Sequence, residues 1–282
     1  MKILVTGANG QVGQALQSAA PSYDAEIIAL DRQALDISDR AAVKAAIEAT
    51  APDVVINAAA YTAVDKAEDD VEAAFAINAM GPENLAASCG DIPFLHISTD
   101  FVFDGSKPGP YVEEDPIGPL SVYGKSKAEG EARVAAVSHK HIILRTAWVF
   151  GGAQNFVNTM LRLGGTHKEL NIVDDQKGGP TAAADIADAL LKIASRVAKD
   201  GFTDWGIYHY CGAPAITWYG FACAIFEGRE TPVLHPIPTE QYPVPATRPK
   251  NSVLGCWKIK RVFDIDQPDW RQALSRILDK TS

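Results

Sequence analysis

The stretch Lys2–Ile3–Leu4–Val5–Thr6–Gly7–Ala8–Asn9–Gly10–Gln11–Val12–Gly13 decides the fold. Its β-branched opening, Lys2 to Thr6, reads as a strand. The strand runs straight into glycines spaced G-x-x-G-x-x-G, and a helical pattern over residues 10–20 follows until Pro21 stops it. Strand, glycine turn and helix in that order are the setting in which backbone N–H groups and a helix N-terminus cradle a pyrophosphate. Gly7 permits the tight turn, Gly10 lets backbone approach phosphate, and Gly13 lets the helix pack on the sheet.

Outward from this unit the same rhythm continues. Candidate strands are Glu26–Leu30, Val54–Asn57, residues 94–98 and His141–Thr146, with helical patterns over residues 39–50, 65–89 and 120–138 between them. Such alternation predicts an α/β fold with a Rossmann-type doubly wound parallel sheet, whose strand-end loops share one edge where ligands bind. After Trp148 strands become fewer, and Pro and Gly concentrate at residues 177–180 and 232–249. One amphipathic helix there carries Ile186, Leu190, Ile193 and Val197, and another closes the chain with Trp270, Leu274, Ile277 and Leu278. Residues 1–148 are therefore expected to form a dinucleotide-binding domain, with the helix around 183–199 packing on it. Residues 149–282 are expected to be mainly a smaller C-terminal substrate-binding cap.

Composition narrows the function classes. With 282 residues, 47% apolar and 22% charged, disorder and fibrous repeats are excluded. Lys+Arg 26 against Asp+Glu 35 gives a net charge of -9, which argues against a nucleic-acid partner but leaves room for a small anionic ligand. Cys89, Cys211, Cys223 and Cys256 are too far apart for a metal knuckle or redox dithiol, and they read as reduced, buried small hydrophobes. The apolar run at the N-terminus is too short for a signal peptide, and no run of about twenty apolar residues predicts a membrane span. A cytoplasmic protein is the expectation.

Two constellations carry chemistry. Asp31 ends the second strand, where a carboxylate accepts hydrogen bonds from ribose hydroxyls and favours NAD(H). Arg32 beside it could pair with a 2′-phosphate, so NADH and NADPH both stay open. Ala58, within Asn57–Ala58–Ala59–Ala60, would let a flat cofactor lie against the backbone; packing is the competing role of such an alanine run. Downstream, Ser98–Thr99–Asp100 closes a strand, and Tyr123 and Lys127 follow four apart on one helix face. A free phenol has a pKa of about 10. A neighbouring ammonium is expected to draw Tyr123 downward, while the Thr99 hydroxyl bonds the same oxygen, so that Tyr123 donates a proton to a carbonyl oxygen as hydride reaches carbon.

These residues resemble the extended short-chain dehydrogenase/reductases and, among them, the dTDP-4-dehydrorhamnose reductases. The resemblance rests on GANGQVG at 7–13, NAAAYTAVDKAE at 57–68, STDFVFDG at 98–105, VYGKSKAEGE at 122–131, RTAWVFG at 145–151, NFVNTMLRL at 155–163, DQKGGPT at 175–181 and RPKNS at 248–252. It implies that Tyr123 is the proton donor, that Lys127 holds the nicotinamide ribose and tunes Tyr123, and that Thr99 adjusts the phenol. It further places Gly10, Gln11, Val12, Asp31, Asp36, Ile37, Ala60, Tyr61 and Thr62 along the cofactor. The sugar site falls near Thr99, Asp100 and Trp148, with Arg248 as a bidentate anchor for the diphosphate. Competing roles are a core aromatic at a domain junction for Trp148 and a surface cation for Arg248.

The implied reaction is NAD(P)H-dependent reduction of the C4 ketone of dTDP-4-dehydro-L-rhamnose. One rival is a nucleotide-sugar epimerase or dehydratase of the same superfamily, although a dehydratase wants an acid pair after Thr99 and this chain has Asp100–Phe101. Another is a non-catalytic regulatory subunit resembling the methionine adenosyltransferase beta subunit. Some relatives form dimers bridged by magnesium on glutamates. Ala15 occupies one such position and residues 181–184 lack the other acid, so no metal and a monomer are expected.

Overall fold

In a computed structural model, residues 1–229 and 232–279 are described. Among the described residues twelve strands form in chain order: β1 Lys2–Thr6, β2 Glu26–Leu30, β3 Val54–Asn57, β4 Phe94–Thr99, β5 His141–Thr146, β6 Val149–Phe150, β7 Glu169–Val173, β8 Lys177–Gly178, β9 Thr181–Ala182, β10 Gly206–His209, β11 Ile216–Thr217 and β12 Val233–Ile237. The helices are α1 Gln11–Ala19, α2 Arg40–Thr50, α3 Val71–Phe75, α4 Gly81–Cys89, α5 Val122–Val137, α6 Phe156–Gly164, α7 Ala183–Val197, α8 Trp218–Phe226, α9 Trp257–Phe263 and α10 Trp270–Asp279. A six-stranded sheet runs β10-β5-β4-β3-β1-β2, parallel throughout. This is the doubly wound α/β order that the strand–turn–helix rhythm anticipates.

Helices cover both faces, which is why the inner strands are near-continuous apolar runs. Val12 and Leu16 of α1 and Ile186, Leu190 and Ile193 of α7 pack on one face with Ile3, Val5 and Ile56. Val43 and Ile47 of α2, Leu85 of α4 and Val134 of α5 pack on the other with Leu4, Val55 and Ile143. A third core, built from Phe150, Val157, Met160, Phe221, Ile225 and Trp270, sits in the second half beside small two-stranded sheets.

Three local readings differ from the sequence pattern. The helical pattern over 65–89 breaks into a 3-10 turn at Lys66–Glu68, α3, a π-helical stretch at Ala76–Met80, and α4. Pro82 at the start of α4 has no N–H to return to the preceding turn, and such a vacancy is what π-bulges accommodate. The sixth strand, β10, comes from the second half and pairs with β5. Cys223 is exposed, whereas Cys89, Cys211 and Cys256 are buried as expected. Folding also brings Cys211 and Cys256, far apart in sequence, to 4.0 Å between sulfurs. Among the described residues no helix is long and apolar enough to cross a membrane.

Candidate active site

The carboxyl ends of β1 to β5 converge on one sheet edge. Gly7 adopts a positive φ of 74° and lies so close to the next turn that a Cβ there would stand 2.5 Å from the Ala59 backbone nitrogen. A Cβ on Gly13 would strike the Gly7 carbonyl. No side chain caps α1 and its first turn holds no acid, so its leading N–H groups form the donor set that a pyrophosphate takes. On this observation the turn fits a dinucleotide.

Beside it, Asp31 accepts from the Ala34 and Gln33 backbone N–H groups at 2.9 and 3.0 Å and from Asn9 Nδ2 at 2.8 Å. These bonds, the Ala34 N–H foremost, hold its carboxyl below the ordinary range and keep it negative. Arg32 is exposed next to it. Ser38 lowers Asp36 through its hydroxyl and its N–H, while Ile37 turns inward against Gly81. Ala58, Ala60 and Tyr61 follow β3 half-buried, Thr62 is exposed, and the Tyr61 hydroxyl donates to Asp70 at 3.0 Å. Val12 faces the core. Gln11 accepts from the Gly152 N–H at 3.0 Å and so ties the glycine turn to the loop after β6.

Helix α5 is locked in place by its glycines. A Cβ on Gly124 would collide with the Phe101 carbonyl, and one on Gly130 with the Asn78 carbonyl in the π-helical stretch. Ser121 caps the helix by accepting from the Gly124 N–H at 3.1 Å. Tyr123 and Lys127 thereby face the end of β4, where Thr99 and Asp100 are buried. The Thr99 hydroxyl donates to Asp100 Oδ1 at 3.1 Å, and Asp100 Oδ2 is buried without a partner among the described residues. Burial pushes the Asp100 carboxyl up to about 6, against the pull of the Ser252 and Thr99 hydroxyls.

The phenol corrects one expectation. Burial pushes Tyr123 up to about 12; the Thr99 bond lowers it and the Asp100 charge raises it, and no cation draws it down. Lys127 is turned the other way. Its Nζ donates to the Ile97 carbonyl at 2.7 Å and lies 3.2 Å from His96 Nε2, and burial pushes it down to about 8. His96 in turn lies 3.0 Å from Asn57 Nδ2.

Trp148 holds φ at +46°, a strained value for a bulky residue, and stacks on Trp218 with ring centroids 3.5 Å apart and planes 4° apart. It packs against two of the cores. The fork of Arg248 closes on Asp65, at 3.0 Å from Nη1 to Oδ1 and 2.7 Å from Nη2 to Oδ2. The structure thus gathers Thr99, Asp100, Tyr123 and Lys127, sets Trp148 in an aromatic stack, and occupies Arg248 with a carboxylate. Sequence reasoning missed Asn9, His96, Ser252 and Trp218; of these Asn9, inside the glycine turn, and Ser252, closing the string at 248–252, lay within a recognised motif, and His96 lay two residues before Ser98.

The whole chain, residues 1–282, matches the family model described as the RmlD substrate binding domain. A dTDP-4-dehydrorhamnose reductase of Sinorhizobium fredii is 46% identical over 288 residues, covering 99% of this chain and 97% of the relative. The crystal structure of a dTDP-4-dehydrorhamnose reductase of Clostridium acetobutylicum superposes with a TM-score of 0.93 at 42% identity, covering 100% of this chain and 99% of that one. That of Bacillus anthracis, solved in complex with NADP, superposes at 0.92 with 34% identity and 99% coverage of each.

Proposed function

Because the chain belongs to the RmlD family of dTDP-4-dehydrorhamnose reductases, we propose that it reduces the C4 ketone of dTDP-4-dehydro-L-rhamnose to the alcohol of dTDP-L-rhamnose. The observation that carries this reading is a phenol, Tyr123, held protonated beside Thr99 at the sheet edge that also carries the glycine turn.

Reduction of a ketone adds hydride at carbon and a proton at oxygen. NADPH or NADH, when bound, supplies the hydride. Tyr123 supplies the proton: at about 12 its phenol is fully loaded at neutral pH. Thr99 stands beside the phenol with its hydroxyl hydrogen directed to Asp100, and Asp100, with one oxygen free of partners among the described residues, stands next to it to receive a sugar hydroxyl. The Trp148–Trp218 stack offers a flat apolar wall. Arg248 would reach a diphosphate by exchanging Asp65 for it. Asp31 keeps a negative charge where the adenosine ribose would lie, while the exposed Arg32 beside it accepts a 2′-phosphate, so both reduced cofactors are read as substrates.

We assign the sugar side mainly to residues 149–282, apart from α7 and β10, which join the six-stranded domain. We read the protein as a cytoplasmic monomer. Ala15 and the segment 181–184 offer no carboxylate for a bridging cation; a light-scattering mass of two chains that falls with chelator overturns the monomer.

Tyr123→Phe removes the proton donor and should slow turnover by roughly 10²–10⁴, read as loss of NADPH absorbance with enzymatically prepared dTDP-4-dehydrorhamnose. A near-normal kcat in that variant ends the assignment.

A further inference from the structure

The aromatic wall on the sugar side does not set its own position. The Trp148 indole is wedged between Trp218, stacked on it at 3.5 Å between centroids, and Gly178, where a Cβ would stand 2.5 Å from the ring. Where the indole sits is therefore decided by its main chain, and that main chain holds a φ of +46°. A bulky residue stays in the left-handed region only where its surroundings over-determine it.

Two holds do so. One is strand pairing: the Thr181 N–H donates to the Trp148 carbonyl at 3.2 Å, and Val149 and Phe150 run beside Thr181 and Ala182. The other comes from the glycine turn. Gln11 accepts from the Gly152 N–H through Oε1 at 3.0 Å and donates through Nε2 to the Val149 carbonyl at 3.4 Å. One side-chain amide thus spans both ends of the turn that follows Trp148. Gly152 is shaped to it, because a Cβ there would stand 2.5 Å from Gln11 Cγ, and the three nearest atoms it would meet all belong to Gln11. The Gly152 carbonyl in turn accepts from Asn155 and Asn158 at 2.5 and 2.8 Å where α6 begins, and Phe156 of α6 packs on Trp218 with centroids 4.7 Å apart.

Gln11 opens α1, whose leading N–H groups no side chain caps. Its backbone belongs to the cofactor turn, while its side chain is committed to the loop after β6. We infer that Gln11 is a positioning residue for the sugar: its side-chain amide aligns the Trp148 segment from the cofactor turn, so that sugar wall and cofactor cradle are set as one unit. The inference deepens the reductase reading and rests on it.

Two substitutions cut the clasp from opposite sides. Gln11→Met keeps the backbone groups and the reach of the side chain but removes the amide. Gly152→Ala leaves the glycine turn intact and displaces Gln11 Cγ with a methyl group. In calorimetry on the full-length protein, the dissociation constant for dTDP-L-rhamnose should rise about fivefold to twentyfold in each, as the loss of two hydrogen bonds predicts. NADPH affinity should stay within about twofold in Gly152→Ala, because the N–H groups of the turn are untouched. The double variant should bind the sugar nucleotide no more than about twofold weaker than the weaker single variant, since both changes break one clasp. An unchanged sugar-nucleotide affinity in either single variant, an equal loss of NADPH affinity in Gly152→Ala, or multiplied losses in the double variant overturns the inference.

Hydrogen exchange reads the clasp with no ligand present. In Gln11→Met the backbone amides of residues 150–155 should exchange about tenfold faster, while those of β1, β3 and β4 keep the protection of the parent. Unchanged exchange over 150–155 overturns the inference. A parent protein that binds no dTDP-L-rhamnose strikes the reductase reading alone, because exchange still decides whether Gln11 holds the loop.

Discussion

Lys127 and Glu131 stand one turn apart on α5, 1% and 4% exposed, and the fold treats them in opposite ways. Glu131 has every oxygen occupied. Arg145 grips it with Nε at 2.9 Å and Nη2 at 2.6 Å, and Ser98 donates to it at 2.5 Å. The guanidinium itself rests 5.1 Å from the Phe103 ring centroid. Among the described residues Lys127 has no counter-ion, only a carbonyl and a ring nitrogen. A buried charge that is fully paired belongs to the scaffold. One that is left without a partner has its titration moved toward neutrality, and that is the mark of a group meant to change state.

The largest effect that separates the two should come from Glu131→Gln. It leaves the Arg145 guanidinium buried without its countercharge, which should cost about 3–5 kcal/mol, read from urea unfolding. The double variant Glu131→Leu with Arg145→Met should cost less than the single one, because no orphaned charge remains. A single-variant loss below about 1 kcal/mol would remove the distinction drawn between the two residues.

Lys127→Met should act in the other direction. Burial holds Lys127 at about 8 against its ordinary 10.5, so between those values the unfolded chain binds more protons and stability climbs as pH rises. Below pH 8 the folded protein carries the whole desolvation cost. Removing the amine should therefore stabilise the protein at pH 7 by about 1–3 kcal/mol while depressing turnover, with the gain fading as pH approaches 10.5. A variant equally destabilised at pH 7 and pH 10 would show Lys127 to be an ordinary packed residue.

The sequence displayed this contrast only in part. The strand edge was legible because β-branched runs, Gly7 and the Ser98–Thr99–Asp100 end recur at spacings that a parallel α/β sheet imposes. Tyr123 and Lys127 were legible because residues four apart share a helix face. Their electrostatics were not. The spacing puts the amine near the phenol, but which way Lys127 turns depends on His96 and the Ile97 carbonyl, which β4 supplies only after the sheet has assembled. Glu131 and Arg145 were invisible for the same reason: one is on α5 and the other on β5, and no local pattern couples them. The break in the 65–89 helix was more accessible, since Pro82 is written in the chain. Gly130 was less so, because its need for close approach arises from the π-helical stretch that Pro82 provokes.

The smallest effect completes the comparison. Arg248 and Asp65 repeat the bidentate geometry of Arg145 and Glu131, but with side chains 23% and 40% exposed rather than 3% and 5%. If burial rather than geometry decides what a pair contributes, Arg248→Met should cost less than about 1 kcal/mol, and that cost should shrink further in about 1 M salt. Arg248 foremost holds the Asp65 carboxyl below its ordinary 3.8, so whatever the pair contributes is present above that value and fades as the pH falls below it. A cost near that of Glu131→Gln, unmoved by salt, would mean that fork geometry alone sets the energy. Arg248 would then be too firmly held by Asp65 to be released for a diphosphate.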